Sequence, residues 1–212
     1  KVNMFSLKLS GVSCSIKSIM STLPPAHIFR AYDIRGIAHL PQSDKEPELT
    51  PTTIRQIGLG SGAYFKRHHG KRIAVSYDCR VSNPELANAF IDGLRSTGCD
   101  VTVIGMVPTP MLYFAVCKFG FDGGASITAS HNPKEYNGVK LVGREAHSIC
   151  GDDLQEVLSE VEAGVHEEAP GKLETLDDFP AYLGKMLEII KLDRPLKIVV
   201  DSGNGATGPF VK

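Results

Sequence analysis

Residues 72–129 read RIAVSYDCRVSNPELANAFIDGLRSTGCDVTVIGMVPTPMLYFAVCKFGFDGGASITA, and the alternation within them decides the fold. Arg72 to Asp78 (RIAVSYD) is a short apolar run of strand length. Ser82 and Glu85 have capping-box spacing. Leu86, Phe90 and Leu94 then line one helical face until Gly98 stops it. Asp100 to Met106 is a second strand, Pro110 to Phe119 a second helix, and Gly124 to Ala129 a third strand. The order β-α-β-α-β predicts a mostly parallel sheet with helices on both faces.

Upstream, Thr50–Pro51 is an N-cap and first-turn pair, and Ile54, Ile57 and Leu59 give the helix its apolar side. Gly58, Gly60 and Gly62 either weaken that helix or let its backbone approach a neighbour closely. Downstream, Asn137–Gly138 is a turn signal, which returns Val139 to Val142 as a strand beside its predecessor. Asp153 to Ala163 predicts a helix with Leu154, Val157, Leu158 and Val161 on one stripe and Gly164 as its stop. Val165 to Gly171 (VHEEAPG) is charged, ends in Pro–Gly and reads as a linker. A helix carrying Leu183, Met186, Leu187 and Ile190 follows, then a strand from Leu196 to Asp201 and a glycine-rich turn. The expected class is α/β, a mixed, mostly parallel sheet sandwiched by helices, plus the incomplete start of a second α/β domain. The boundaries expected are 1–23 for a disordered extension, 24–164 for the first domain, 165–171 for the linker and 172–212 for the second unit.

Composition excludes several classes. A chain of 212 residues, 42% hydrophobic, can bury a core, and a net charge of −1 offers no field for nucleic acid or anionic membrane. The most apolar run, Gly105 to Val116, is broken by Pro108 and Pro110 and falls short of the roughly 18 residues a membrane span needs. The five cysteines are odd in number, scattered and free of C-x-x-C pairs, which indicates a reducing compartment. The seven histidines show no metal-ligand spacing. Lys1 to Leu23 carries three lysines, six serines and no acidic residue. It reads either as the tail of an organellar transit peptide or, preferably, as an over-extended reading frame ahead of a true start at Met20.

The segment bearing chemistry is Thr128-Ala129-Ser130-His131-Asn132-Pro133. Ser130 sits where a buried strand emerges at the carboxyl end of the sheet, the place where open α/β sheets bind ligands. Backbone N–H groups there can stabilise anionic oxygens, Asn132–Pro133 sets a sharp bend, and Lys140 can bring a positive charge near Ser130. Taken alone, these residues fit a capped turn just as well. A hydrolase fits worse, because adjacent Ser130 and His131 cannot easily form a nucleophile–base bond and no G-x-S-x-G elbow is present.

Gly124 to Leu141 (GASITASHNPKEYNGVKL) closely resembles the active-serine loop of the α-D-phosphohexomutases. Ile28 to Gly36 (IFRAYDIRG), Met106 to Pro110 (MVPTP) and Ile198 to Gly208 (IVVDSGNGATG) agree in order, and the wording is more similar to the phosphomannomutase/phosphoglucomutase group than to the phosphoglucosamine mutases. The resemblance covers Pro24 onward. It implies an intramolecular phosphotransferase that interconverts hexose 6-phosphate and hexose 1-phosphate, of mannose or glucose, through a phosphoserine at Ser130 and a bisphosphorylated sugar. It also implies Mg2+ held by a phosphoserine oxygen and an aspartate-rich loop, activation by hexose 1,6-bisphosphate, and a cytoplasmic location. Ser130, His131 and Lys140 then carry the chemistry, and Tyr32, Arg35, Asn132 and Arg80 reach the substrate. Asp78 and Arg80 match a Gly-x-Asp-x-Arg pattern of the family, with Ser76 in place of the glycine. Because the family's cleft is built from four domains, a chain of this length is expected to be inactive alone. The expected partner is a hexose phosphate, with neither nucleic acid nor membrane, and no mark of oligomeric state is visible.

Two rivals stand beside this reading. One is a non-catalytic protein of the same fold that binds a sugar phosphate or a partner. The other takes Gly203-x-Gly205-x-x-Gly208 as a dinucleotide fingerprint, which lacks its acidic residue about 20 positions on.

Overall fold

A computed structural model describes residues 23–38 and 44–211. The N-terminal extension expected over 1–23 lies, except for Leu23, outside the described residues. Six strands, β1 (Ile34–Ile37), β2 (Arg72–Tyr77), β3 (Asp100–Met106), β4 (Gly123–Ile127), β5 (Tyr136–Val142) and β6 (Leu173–Thr175), form one sheet in the order β1-β5-β4-β2-β3-β6. β2 pairs in parallel with both β3 and β4, β3 with β6, and β5 runs antiparallel to both β1 and β4. Five helices cover the sheet: α1 (Pro51–His68), α2 (Asn83–Arg95), α3 (Thr109–Phe119), α4 (Asp152–Ala163) and α5 (Phe179–Ile189). The architecture is the mixed α/β sandwich expected.

Strand alternation divides the core in two. Ile73 and Val75 of β2, with Ala125, Ile127, Val139 and Leu141, pack against α1, α2 and α4. Ala74, Ile104 and Val142 point the other way, into Met111, Leu112, Ala115 and Val116 of α3. Thr50 caps α1 through a reciprocal box with Thr53, an arrangement that stabilises a helix start by about 1 kcal/mol. The glycines of α1 serve close packing. A Cβ at Gly58 would lie 2.3 Å from the Phe90 carbonyl of α2, and one at Gly60 would lie 2.4 Å from Val161 of α4. The stripe Leu154, Val157, Leu158 and Val161 is buried, and Gly164 follows α4 with φ of 77°.

Three local expectations are corrected. Ser82 precedes α2 but does not cap it; its hydroxyl accepts from the Asn137 side-chain amide at 2.8 Å instead. Asn137–Gly138 is not a turn but lies inside β5, and the reversal from β4 is made by the residues between Ile127 and Tyr136. Asn137 is fully buried and bonds Asn83 Oδ1 at 2.8 Å, so a turn-forming residue is used here as a buried connector. The run Leu196–Asp201 forms no strand, and Val199 is 98% exposed. An extended segment needs ladder partners to become a strand, and among the described residues none lies beside it.

The expected linker is tied down. Arg55 of α1 bonds both oxygens of Glu167 as well as Asp92, and Lys66 pairs with Glu168. The chain then adds β6 to the sheet edge and continues into α5, which packs on α3 with the Phe114 and Tyr182 rings 5.4 Å apart. Asp178, next to the start of α5, is 1% exposed, and its Oδ2 has no hydrogen-bond partner. Burial pushes this carboxyl up to about 6. No helix of the described residues is long and apolar enough to cross a membrane.

Candidate active site

The loop that follows β4 begins as a continuation of the sheet: Thr128 N–H donates to the Gly138 carbonyl at 3.0 Å. It then turns sharply, with Asn132 N–H donating to the Ala129 carbonyl at 3.0 Å. Ser130 lies inside that turn with φ of 54°, the left-handed region that non-glycine residues adopt at a cost of about 1–2 kcal/mol. Its side chain is exposed at the carboxyl end of the sheet. Its hydroxyl lies 3.3 Å from His131 Nδ1, so the contact expected to be difficult for sequence neighbours is made. The left-handed backbone at Ser130 is what the sequence spacing did not reveal.

Arg35, from β1, reaches the same loop. Its Nη1 donates to Asn132 Oδ1 at 3.1 Å, Nη2 pairs with Asp33, and its buried Nε has no partner. β1 can deliver this arginine because it pairs with β5, which also carries Lys140. Lys140 is half-buried and sits opposite Ser126 in the β4–β5 register, and its amine makes no hydrogen bond or ion pair among the described residues. An unpaired ammonium on the strand returning from the serine loop is a ready counter-charge for an anion. Tyr32 is not drawn in; it is 71% exposed.

Arg80 lies under the loop. Its Nη1 donates to the carbonyls of Pro133 (2.7 Å) and Tyr136 (2.9 Å). Its Nη2 donates to the carbonyls of Ser130 (3.1 Å) and Asn132 (2.7 Å). With Nε on Asp78 Oδ2 at 3.2 Å, every nitrogen of the guanidinium is committed to the protein. Sequence reasoning left Asp78, Asn83, Thr128 and Asn137 off the site, and the structure joins them to it. Asp78 accepts from Thr128 Oγ1 at 2.7 Å and from Asn83 Nδ2 at 2.6 Å, and Asn83 in turn meets Asn137. Asn83 and Asn137 are 54 positions apart, so no local period could have paired them. The Asp78–Arg80 half of the network was visible as an Asp-x-Arg pattern. Ser76, standing where the family has glycine, is fully buried with an unpartnered hydroxyl.

No group of three or more His, Cys, Asp or Glu among the described residues could hold an ion, and the Asp78 carboxylate is already occupied by four donors. The four described cysteines are free thiols. The Gly203–Gly208 turn carries left-handed residues at Gly203 and Asn204 and leads into a short 3-10 turn. Neither the strand before it nor the helix after it that a dinucleotide site requires is formed.

The comparisons agree with this geometry. Residues 26–168 match the family model described as phosphoglucomutase/phosphomannomutase, alpha/beta/alpha domain I. A phosphomannomutase/phosphoglucomutase of Pseudomonas aeruginosa is 37% identical over 184 residues, covering 87% of this chain and 38% of the relative. A phosphomannomutase of Salmonella montevideo is 40% identical over 190 residues, covering 86% of this chain and 40% of the relative. The crystal structure of a phosphoglucomutase/phosphomannomutase family protein from Burkholderia thailandensis superposes with a TM-score of 0.77 at 38% identity, covering 88% of this chain and 41% of that one. The chain thus spans about two fifths of the length of these relatives. Matched by the family model over most of its length and 37–40% identical to these relatives, the chain belongs to the phosphoglucomutase/phosphomannomutase family.

Proposed function

We propose that this chain supplies the phosphoryl-carrying serine of a phosphohexomutase that interconverts hexose 6-phosphate and hexose 1-phosphate, with mannose or glucose as the sugar. The observation that carries the reading is Ser130. Its exposed hydroxyl is held on a left-handed turn at the mouth of the sheet, two residues from Asn132, which Arg35 of β1 binds. A phosphoryl group on Ser130 would pass to a hydroxyl of the bound hexose phosphate, and the bisphosphate formed would return its other phosphoryl to the serine. Transfer of this kind is promoted by alignment and by neutralising the equatorial oxygens, rather than by covalent chemistry of the protein. Lys140 provides positive charge, and the proton given up by the sugar hydroxyl passes to the departing Ser130 oxygen. His131, in contact with Ser130 Oγ, orients that oxygen. Arg35 and Asn132 form one rim of the cleft, and Tyr32 is free to contact a substrate entering from solvent.

Mg2+ would take from this chain only Ser130, through its phosphate, and would there neutralise charge on the moving group. Its remaining ligands, and the recognition that separates mannose from glucose, are assigned to other parts of the protein. Hexose 1,6-bisphosphate would load the serine. The remaining assignments are a first domain ending near Gly164, a second beginning after Gly171, a chain inactive in sugar isomerisation by itself, and a cytoplasmic setting.

The test is phosphoryl acceptance. Incubated with glucose 1,6-bisphosphate and Mg2+, the wild-type chain is expected to gain the mass of one phosphoryl group at Ser130, and Ser130→Ala none. No incorporation, or equal incorporation into Ser130→Ala, would remove the mutase assignment and leave the non-catalytic sugar-phosphate binder, to be judged by calorimetric titration with glucose 1-phosphate.

A further inference from the structure

We infer that Asp78, Thr128 and Arg80 are positioning residues: they hold the Ser130 backbone in its left-handed state and so aim the hydroxyl that carries the phosphoryl group. The inference rests on the assignment of Ser130 as that carrier. Its structural basis is that both peptide groups flanking Ser130 are pinned. The N–H of Ser130 donates to Thr128 Oγ1 at 3.0 Å, and its carbonyl accepts from Arg80 Nη2 at 3.1 Å. Fixing the two planes on either side of one Cα fixes φ and ψ, and the bonds to Thr128 and Arg80 offset the cost of a left-handed serine.

The two pins converge on one carboxylate. Thr128 is free to accept from Ser130 because it gives its own proton to Asp78 Oδ2 at 2.7 Å. Arg80 is fixed by the same oxygen through Nε at 3.2 Å. The other oxygen, Oδ1, takes the Arg80 backbone N–H at 3.0 Å and the Asn83 amide at 2.6 Å. Four donors fill the carboxylate, so Asp78 is not available as a general base or a metal ligand. Arg80 presents a planar fork to four carbonyls of a single loop, a geometry that lysine cannot reproduce. To grip a phosphate it would have to give up bonds to carbonyls of the serine loop, that of Ser130 among them. Its role is to carry the order of the sheet into the loop.

The experiment reads Ser130 directly. In Asp78→Asn, amide exchange at Ser130 is expected to quicken about tenfold or more, as loss of a bond worth about 1–1.5 kcal/mol implies. The HN–Hα coupling of Ser130 should move to that of a negative φ, while amides of β2 such as Val75 stay protected. Thr128→Val should reproduce the effect and Thr128→Ser should not, which keeps the idea testable if Asp78→Asn folds poorly. In mutase assays of the whole protein, kcat is expected to fall by about 30-fold or more in Asp78→Asn and Arg80→Lys, with KM for glucose 1-phosphate within about twofold. Unchanged exchange and coupling at Ser130 in both Asp78→Asn and Thr128→Val would overturn the inference. So would an Arg80→Lys variant with raised KM and intact kcat, which would make Arg80 a substrate ligand. If Ser130 accepts no phosphoryl group in the wild type, the mutase assignment falls by itself, and the exchange and coupling data still decide whether the clamp exists.

Discussion

Around Ser130 the carbonyls of the loop are held by Arg80, while between Lys191 and Val200 apolar side chains stand in solvent. Both regions hold a short apolar run followed by a turn rich in small and polar residues. In the first, β4 lies between β5 and β2, all five of its residues are buried, and the loop it feeds is bound by Arg80, Thr128 and Arg35. In the second, Ile198, Val199 and Val200 are 69%, 98% and 53% exposed, and the following turn is joined to the rest through Cys79, whose thiol donates to the Asn204 carbonyl, and through the tilted contact of the Phe179 and Phe210 rings. The difference teaches that apolar content and turn chemistry create a candidate strand, and only ladder partners make it one.

The sharpest way to break the ordered region is Gly138→Ala. A Cβ there would lie 2.0 Å from the Ile34 carbonyl, so β1 and β5 would have to part, taking Arg35 away from Asn132. Thermal or denaturant unfolding should show a loss on the order of 4 kcal/mol, or no folded protein. A variant as stable as wild type would mean that the β1–β5 pairing does not hold the site together.

A milder probe lies where the two regions join. Asp178 is buried at the start of α5, and burial raises its carboxyl from 3.8 to about 6. Because the folded form holds the proton more tightly, this residue favours folding fully below pH 3.8, and the benefit is lost as pH rises through about 6. Asp178→Asn is therefore expected to strengthen the docking of α5 at pH 7 by about 1–3 kcal/mol and to flatten the pH dependence between 4 and 6. Denaturant melts at several pH values check it; an unaltered slope would show that the carboxyl is solvated. The smallest effect belongs to the exposed run. Val199→Ser should change stability by less than about 0.5 kcal/mol, and a larger loss would reveal a docked strand.

Much of this was legible in the sequence because it is local. β3 begins and ends where its apolar run does, Thr50 caps α1, and the four-residue stripe of α4 is the buried one. The serine loop was legible as a motif, and Arg35, expected to reach it, bonds Asn132. What escaped depends on tertiary pairing. Ser82 had the spacing of a cap, yet a buried asparagine from β5 claims its hydroxyl. Asn137–Gly138 had the composition of a turn, yet Gly138 is needed for the close approach of β1 and Asn137 for a bond to Asn83. β6 is three residues long, Leu-Glu-Thr, too short to leave a period. Asp78 was read as part of a pattern, but its four donors come from residues as much as 50 positions away.

The antiparallel setting of β5 has one further consequence. Side chains along it alternate between the α1 layer, where Val139 and Leu141 are buried, and the α3 layer, toward which Lys140 and Val142 point. Inserting or deleting one residue anywhere between Ala129 and Tyr136, if the ladder slips to absorb it, would exchange the two sets, driving an ammonium into the larger core and turning Val139 and Leu141 toward the α3 layer. The connecting segment can therefore vary in composition far more easily than in length: the spacing from serine to lysine is a ruler set by the pleat of the sheet.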